Sequence, residues 1–106
     1  MIATEVLECE WLRLPPTQLA IVAHIGEMED RIDRGQDAAS ETTTLRVRET
    51  LQLSNSAVHG AMRYLIRDGI VERGEVVRVR FRYSGPVNRL TAEGREMYQS
   101  IRRCSR

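Results

Sequence analysis

The residues whose types and spacing best suit chemistry lie on one face of a predicted helix over residues 55–67. An Asn amide can form two hydrogen bonds with adenine, an Arg guanidinium can do the same with guanine, and Ser hydroxyls suit phosphate. This combination predicts contact with a nucleic acid, and the alternative is an ordinary solvated helix face. The candidate residues, of which Arg63 and His59 are the strongest, are Ser54, Asn55, Ser56, His59, Gly60, Arg63 and Arg67.

A second basic set follows where the period of the apolar residues changes from about 3.6 to 2. Here the alternating residues are Val77, Arg78, Val79, Arg80, Phe81 and Arg82. The alternation predicts a strand with its apolar side chains against the core and its arginines on the other face. Such a ladder can follow phosphates or place an Arg in a minor groove, although charge on an exposed strand can also serve only to prevent edge pairing. Arg89, on the predicted return strand, is a weaker candidate.

The charge of the chain divides into an acidic first half and a basic second half. Residues 1–50 contain ten acidic residues and five arginines, and residues 51–106 contain five acidic residues and eleven arginines, so the formal net charge of +1 combines −5 with +6. This asymmetry favours a polyanionic partner for the second half. Every basic residue is Arg, which suits bidentate contact with phosphate and guanine, although genome composition would produce the same bias.

The sequence has no pattern typical of an enzyme, a metal centre or a cofactor site. Neither His24 nor His59 has a carboxylate or Cys at ligand spacing, and Cys9 and Cys104 lack the CxxC spacing of a metal knuckle. No catalytic constellation and no glycine-rich phosphate loop can be recognised. No apolar run approaches the ~20 residues of a membrane span and the N-terminus lacks the layout of a signal peptide, so we expect a cytoplasmic protein with no membrane partner.

The first elements that must position the candidate residues are helices. A short helix is predicted over residues 2–14, and a long one over residues 16–34 that ends at Gly35. The long helix has an apolar stripe that contains Ile21, Ile25, Met28 and Ile32. It also has an acidic face, expected to be solvated, that contains Glu27, Glu29, Asp30 and Asp33. Residues 36–42 are polar and predict a mobile loop.

Two shorter helices follow, separated by a tight turn. The first begins after a cap at Thr43 or Thr44 and ends near Leu51. The second begins after a cap at Ser54 or Asn55 and runs to Arg67, and Gly69 can end it in a left-handed conformation. Two helices that cross steeply around a short turn need apolar residues at fixed offsets, and the residues predicted to face inward are Val47, Leu51, Leu53, Val58, Ala61 and Leu65.

A hairpin and a last helix complete the predicted elements. Residues 83–86, with the sequence YSGP, predict the hairpin turn, and residues 87–90 predict the return strand. Thr91 then caps the last helix. The apolar face of that helix contains Met97, Ile101 and Cys104. Together with Val6, Leu7 and Trp11 near the N-terminus, this face exceeds what a three-helix core and a hairpin need.

A motif of three parts runs through the second half of the chain. Its parts are Leu51-Gln52-Leu53-Ser54 with Val58 and Leu65, then Asp68-Gly69-Ile70-Val71 with Arg73, and finally Leu90-Thr91-Ala92-Glu93-Gly94-Arg95. In this pattern the chain resembles winged-helix regulators of the MarR and PadR type over roughly residues 16–106. Those regulators usually have Gly where this chain has Gln52 and a small residue where it has Arg48. A non-Gly residue in this turn costs about 1 kcal/mol if its φ is positive.

The resemblance implies an α+β, mostly α fold: a winged helix-turn-helix with a three-helix core, a β-hairpin wing and additional terminal helices. It implies one domain, with an N-terminal element over residues 1–14, the helix-turn-helix and wing over residues 15–90, and a C-terminal dimerisation helix over residues 91–106. The function implied is that of a prokaryotic or viral transcriptional regulator, more often a repressor, that binds double-stranded DNA as a homodimer without a cofactor.

Two other functions remain compatible with the sequence. A winged helix can serve as a protein-interaction module, or act on DNA in plasmid or phage replication or partition. The operator and any small-molecule effector are not encoded in a recognisable motif.

Overall fold

The computed structural model describes residues 14–81 and 83–104, which form an α+β, mostly helical fold. In chain order the elements are α1 (Pro16–Asp33), a 3-10 helix (Ala39–Thr42), α2 (Thr44–Leu51), α3 (Asn55–Arg67), β1 (Val71–Arg80), β2 (Tyr83–Leu90) and α4 (Ala92–Cys104). The strands form one antiparallel two-stranded sheet. The helix predicted over residues 2–14 lies outside the described residues except for Leu14. The predicted site residue Arg82 also lies outside them. Within those residues, no helix is long and apolar enough to cross a membrane.

The long helix α1 confirms the predicted start and stop. Pro16 occupies its first turn, where the missing N–H costs nothing, and the Leu19 N–H donates to the Pro15 carbonyl at 3.0 Å. Gly35 follows the helix with a φ of 72°, as the predicted left-handed stop requires. Ile21 and Ile25 of the predicted stripe are fully buried, and α1 thereby forms the centre of the core.

The segment predicted as a loop over residues 36–42 is in part helical. Its second half forms the 3-10 helix, and Thr42 is buried. The reason lies on a distant strand, because the Asn88 side chain donates to the Thr42 carbonyl at 2.9 Å and to the Thr44 hydroxyl at 3.0 Å. Polar composition alone therefore gave an incomplete description of this segment.

The two central helices confirm the predicted caps. Thr43 caps α2 by accepting from the Arg46 N–H, and Ser54 caps α3 by accepting from the Ala57 N–H at 3.1 Å. Between them Gln52 adopts a φ of 56°, the left-handed conformation that favours glycine. Of the residues predicted to face inward, Val47, Val58, Ala61 and Leu65 are buried, and Leu51 and Leu53 are partly buried against the same core.

The hairpin is longer than predicted and turns elsewhere. The strands pair from Val71 opposite Leu90 to Arg80 opposite Tyr83, so residues 83–86 are paired and the prediction of a turn there is wrong. Pro86 is tolerated in the pairing because both strands of a two-stranded sheet are edge strands.

The apolar face predicted for β1 is also wrong at the hairpin tip. Phe81 is 82% exposed, whereas Val77 and Val79 are partly buried and the end of the hairpin near Val71 and Leu90 is buried in the core. The predicted alternation holds from Val77 to Arg80, where partly buried valines alternate with exposed Arg78 and Arg80. It fails at Phe81, beyond the shift of register between Arg78 and Arg80.

The last helix, α4, is an integral part of the core. Thr91 accepts from the Gly94 N–H at 3.1 Å and its hydroxyl donates to the Gly69 carbonyl at 2.5 Å, which joins the start of α4 to the end of α3. Met97 and Ile101 are buried within the chain. The expectation of an apolar excess is therefore wrong for Met97 and Ile101, because the core uses them, and its N-terminal part, Val6, Leu7 and Trp11, lies outside the described residues.

Candidate nucleic-acid interface

The helix α3 has one buried face and one exposed face that together confirm its predicted orientation. Val58, Ala61, Met62 and Leu65 are buried. Met62 was not among the residues predicted to face inward, although its spacing from Val58 and Leu65 fits the same stripe. All the candidate residues on and before this helix are exposed, namely Ser54, Asn55, Ser56, His59, Gly60, Arg63 and Arg67.

Three of those candidates lie together along a shallow groove between α3 and β1. The groove has a volume of about 490 Å³, and its lining residues are His59, Arg63, Ile66, Arg67 and Arg73. We call it the arginine groove. Among the described residues no carboxylate lines it, and its three guanidinium groups outnumber the one carboxylate beside it, that of Asp68. A concave surface of this kind can bind phosphate groups.

Arg73 was missed as a site residue by the sequence reasoning. It lies near the start of β1, directly after the turn that ends α3, and this turn carries it to the side of Arg67. The signal was present, because Arg73 belongs to the segment that resembles winged-helix regulators. Residue period alone could not find it, since Arg73 is not part of the alternating stretch that begins at Val77.

Arg67 is held at the C-terminal end of the exposed face. Its guanidinium lies over the Tyr64 ring, 4.4 Å from the ring centre, and its Nε lies 3.4 Å from a carboxylate oxygen of Asp68. Both partners are exposed, so they orient the side chain with little loss of solvation. The remaining guanidinium N–H groups can donate to an incoming phosphate.

At the other end of α3, Ser54 has a structural role that was also predicted. Its oxygen is engaged by the cap, which leaves its hydroxyl hydrogen able to donate. Asn55 and Ser56 lie in the first turn and are exposed. The N-terminal half of the face therefore presents uncharged polar groups, and the C-terminal half presents arginines.

The hairpin arginines are not brought into the arginine groove. Arg78 is exposed, but Arg80 forms an ion pair with Glu49 of α2. Glu49 also accepts from Arg46 at 2.9 Å, and Arg46 lies 3.4 Å from Glu41. Desolvation raises the pKa of Glu49, but the hydrogen bonds from Arg46 and Arg80 outweigh it and hold the pKa below its usual range. Arg80 is thus largely neutralised by its own chain.

The weaker candidate Arg89 is likewise paired within the hairpin. It forms an ion pair with Glu75 on the facing strand, and this contact raises the pKa of Arg89. The pKa of Glu75 is lowered by a hydrogen bond from its own backbone and, after that, by Arg89. The two side chains are exposed, so the pair contributes little to stability. Arg89 does not line the arginine groove.

The acidic face of α1 is only partly solvated, contrary to the prediction. Glu29 accepts from the Leu90 N–H at 3.1 Å and lies 3.5 Å from Arg95, and Asp30 accepts from the Tyr98 hydroxyl at 3.4 Å. Burial raises the pKa of Glu29, and the Leu90 N–H and Arg95 oppose that effect. These carboxylates therefore fasten α1 to the hairpin and to α4.

The described side chains form no metal site, and the comparisons with known proteins give no functional assignment. Residues 14–81 and 83–104 contain no group of three or more His, Cys, Asp or Glu placed to hold a metal ion. Comparisons with protein-family models, with curated proteins and with solved structures give no match to this chain. Its function has to be inferred from the geometry and charge of its own residues.

Proposed function

We propose that this chain is a sequence-specific regulator of transcription that binds double-stranded DNA through α3. In this proposal α1, α2 and α3 form the three-helix core of a winged helix, α2 and α3 form its helix-turn-helix, and the hairpin is the wing. The single observation that supports it best is the arginine groove, whose described lining holds three arginines and no carboxylate. Contacts between arginine and phosphate supply much of the affinity in protein–DNA complexes.

The two halves of the exposed face suit different parts of a duplex. Asn55, Ser56 and His59 can approach base edges, as the first turns of a recognition helix do. Arg67 and Arg73 suit phosphates, and Arg63, one helical turn before Arg67, can reach guanine or the DNA backbone. The major groove is about 12 Å wide and admits one α-helix, which matches a surface carried by α3.

Repression as a homodimer in the cytoplasm is the proposed mode of action. A dimer that covers a promoter would exclude polymerase without any catalysis, and two copies would double the contacts with DNA. The interface is proposed to involve the terminal elements. Because Met97 and Ile101 are used inside the chain, exposed side chains of α4 would have to contribute to it instead.

A protein-interaction module is the second candidate, and the hairpin tip favours it. Val76 and Phe81 are 67% and 82% exposed, and Tyr83 is 46% exposed. Apolar side chains at such exposure are typical of contact surfaces. A module of this kind would bind a protein and would show no salt-sensitive affinity for DNA.

Selection from a random pool of duplexes tests the proposal. The purified chain is incubated with the pool at about 150 mM salt, a concentration at which nonspecific binding is weak, and bound duplexes are sequenced. We expect an enriched motif, and a palindromic motif would support the dimer. Binding without a motif would favour a role in replication or partition, and no binding would favour the protein-interaction module.

A matched pair of variants assigns the binding to α3. Arg63→Ala should lower affinity for the enriched duplex by about tenfold, since a bidentate contact with a base contributes roughly 1–3 kcal/mol. Arg34→Ala removes the same charge from a residue that lines a separate cavity between α1 and α4, so its affinity should match that of the wild type. Equal affinity of both variants would remove Arg63 from the site.

A further inference from the structure

The glycine in the middle of the exposed face of α3 has no explanation within the chain. Gly60 is a helix-interior residue, and a Cβ atom added to it would have no heavy atom of the described residues within 4 Å. Its φ is not positive, because Gly35 and Gly69 are the glycines with positive φ in the described residues. A glycine in a helix interior destabilises the fold relative to alanine. Glycine at this position therefore lowers the stability of the fold, and no contact within the described residues explains why it is there.

Most other glycines of the described chain have a visible reason, either a positive φ or a close neighbour, and Gly60 has neither. A Cβ would clash with a neighbouring atom at less than 3.0 Å at Gly26, Gly74 and Gly94. Gly85 is different again, because a Cβ there would lie in ordinary contact with the Tyr83 ring at 3.6 Å. At Gly60 the space beyond the backbone is open. A missing side chain at an open position allows another molecule to approach the helix backbone closely.

The surroundings of Gly60 indicate what that molecule is. Gly60 lies one turn after Ser56 and one turn before Arg63 and Tyr64 on the same helix, so it shares the exposed face with them. This face continues into the arginine groove, which three arginines line and where Asp68, paired with Arg67, is the neighbouring carboxylate, so the arginines outnumber it. Charge complementarity selects a polyanion, and the width of the major groove matches one α-helix.

We infer that Gly60 is the point of closest approach between α3 and a DNA duplex, where the edge of a base pair contacts the helix backbone directly. This inference rests on the proposed function. It assigns Gly60 a positioning role, because the absence of a side chain lets Ser56 and Arg63 reach the duplex from either side. A methyl group at Gly60 would hold the helix away from the base pair and lengthen those flanking contacts.

The inference predicts opposite changes in stability and binding for one substitution. Gly60→Ala should raise Tm by about 2–8 °C, because alanine is the better helix former and the added methyl group meets open space. The same variant should bind the enriched duplex about tenfold more weakly or worse, as expected when a base contact is lost. Gly60→Leu keeps a good helix former and adds bulk, so its affinity should fall further.

The experiment uses the full chain and a fluorescently labelled copy of the duplex most enriched in the selection, with affinity measured by anisotropy and Tm by circular dichroism. Thr50→Ala is the control, because Thr50 is exposed on α2, outside both α4 and the arginine groove, and alanine is the better helix former. This control should keep wild-type affinity, which separates a gain of stability from a loss of binding.

Each outcome decides the inference. A higher Tm with weaker binding that worsens from Ala to Leu supports it. A higher Tm with unchanged affinity refutes the closest approach at Gly60 and leaves the proposed function standing. A lower Tm for Gly60→Ala also refutes it, since the glycine would then have an internal reason. If the wild type enriches no duplex at all, the proposed function fails and this inference fails with it.

Discussion

At the scale of single residues, the turn between α2 and α3 contains a strained position. Gln52 has a φ of 56°, and it is the non-glycine residue with positive φ in the described part of the chain. We predict that Gln52→Gly raises the free energy of unfolding by about 0.5–1 kcal/mol, because glycine adopts this conformation without a Cβ clash. Urea denaturation followed by circular dichroism measures the change.

Gly69 provides the reciprocal control for that prediction. It has a φ of 73°, and no atom of the described residues lies within 4 Å of its missing Cβ, so a side chain there would meet only backbone strain. Gly69→Ala should therefore lower the free energy of unfolding by about 1 kcal/mol. If both substitutions changed stability in the same direction, the left-handed conformation could not be the cause.

A second residue-scale prediction concerns the close contact between α4 and the end of α3. A Cβ on Gly94 would lie 2.1 Å from the Ile70 carbonyl oxygen, a backbone atom that cannot rotate away. Gly94→Ala should therefore destabilise the chain by about 2–3 kcal/mol, through forced separation of the two elements. Thermal unfolding measures it, with exposed Glu96→Ala as the control. A loss no larger than that of the control would show that the contact yields easily.

At the scale of elements, one buried amide connects the hairpin to the helices. Asn88 is fully buried and binds the Thr42 carbonyl and the Thr44 hydroxyl, so it fixes the base of β2 against the 3-10 helix and α2. Asn88→Ala should cost about 1–3 kcal/mol, because a buried carbonyl loses its donor. Exposed Ser84→Ala on the same strand should stay within about 0.5 kcal/mol. Equal, small losses in urea denaturation would contradict this role.

The sequence predicted the helices better than the hairpin for a physical reason. Caps, stops and apolar stripes are local, so Thr43, Ser54 and Gly69 could be assigned from their neighbours alone. The hairpin turn depends on which residues pair across strands, and Pro86 misled the prediction because edge strands accept proline. Likewise the order of the 3-10 helix depends on Asn88, which lies 46 residues after Thr42.

The candidate site was also predicted only in part. Residues whose position follows from the helical period were predicted, and residues placed by contacts distant in sequence were not. The exposed face of α3 follows from one helical period, so His59 and Arg63 were placed correctly on the surface. The pairing of Arg80 with Glu49 joins residues 31 apart, and the contribution of Arg73 to the arginine groove depends on the path of the chain after α3. Neither could be derived from spacing.

At the scale of the whole molecule, the pattern of ion pairs predicts which arginines respond to salt. Neutralising Arg73 should make the slope of log K against log salt shallower by about 0.9, the value for one lost phosphate contact, and Arg67 should contribute less because Asp68 shares its charge. Neutralising Arg80 alone should change the slope by clearly less than about 0.9, because Glu49 already balances that charge. Anisotropy titrations across a salt series measure both slopes, and a larger effect from Arg80 would reverse the assignment.

The proposed dimer makes a geometric prediction about the spacing of its two half-sites. A symmetric pair of α3 helices reaches the same side of a duplex only when the half-sites are about 34 Å apart, one turn of DNA. Inserting about five base pairs between them rotates one half-site to the opposite side, so affinity should fall to that of a single half-site. Inserting about ten base pairs returns both half-sites to the same side of the duplex but doubles their separation, so a rigid dimer should recover little affinity. Sedimentation of the complex should give two chains for each intact site. If the affinity does not depend on the spacing and one chain binds each site, the regulator binds as a monomer.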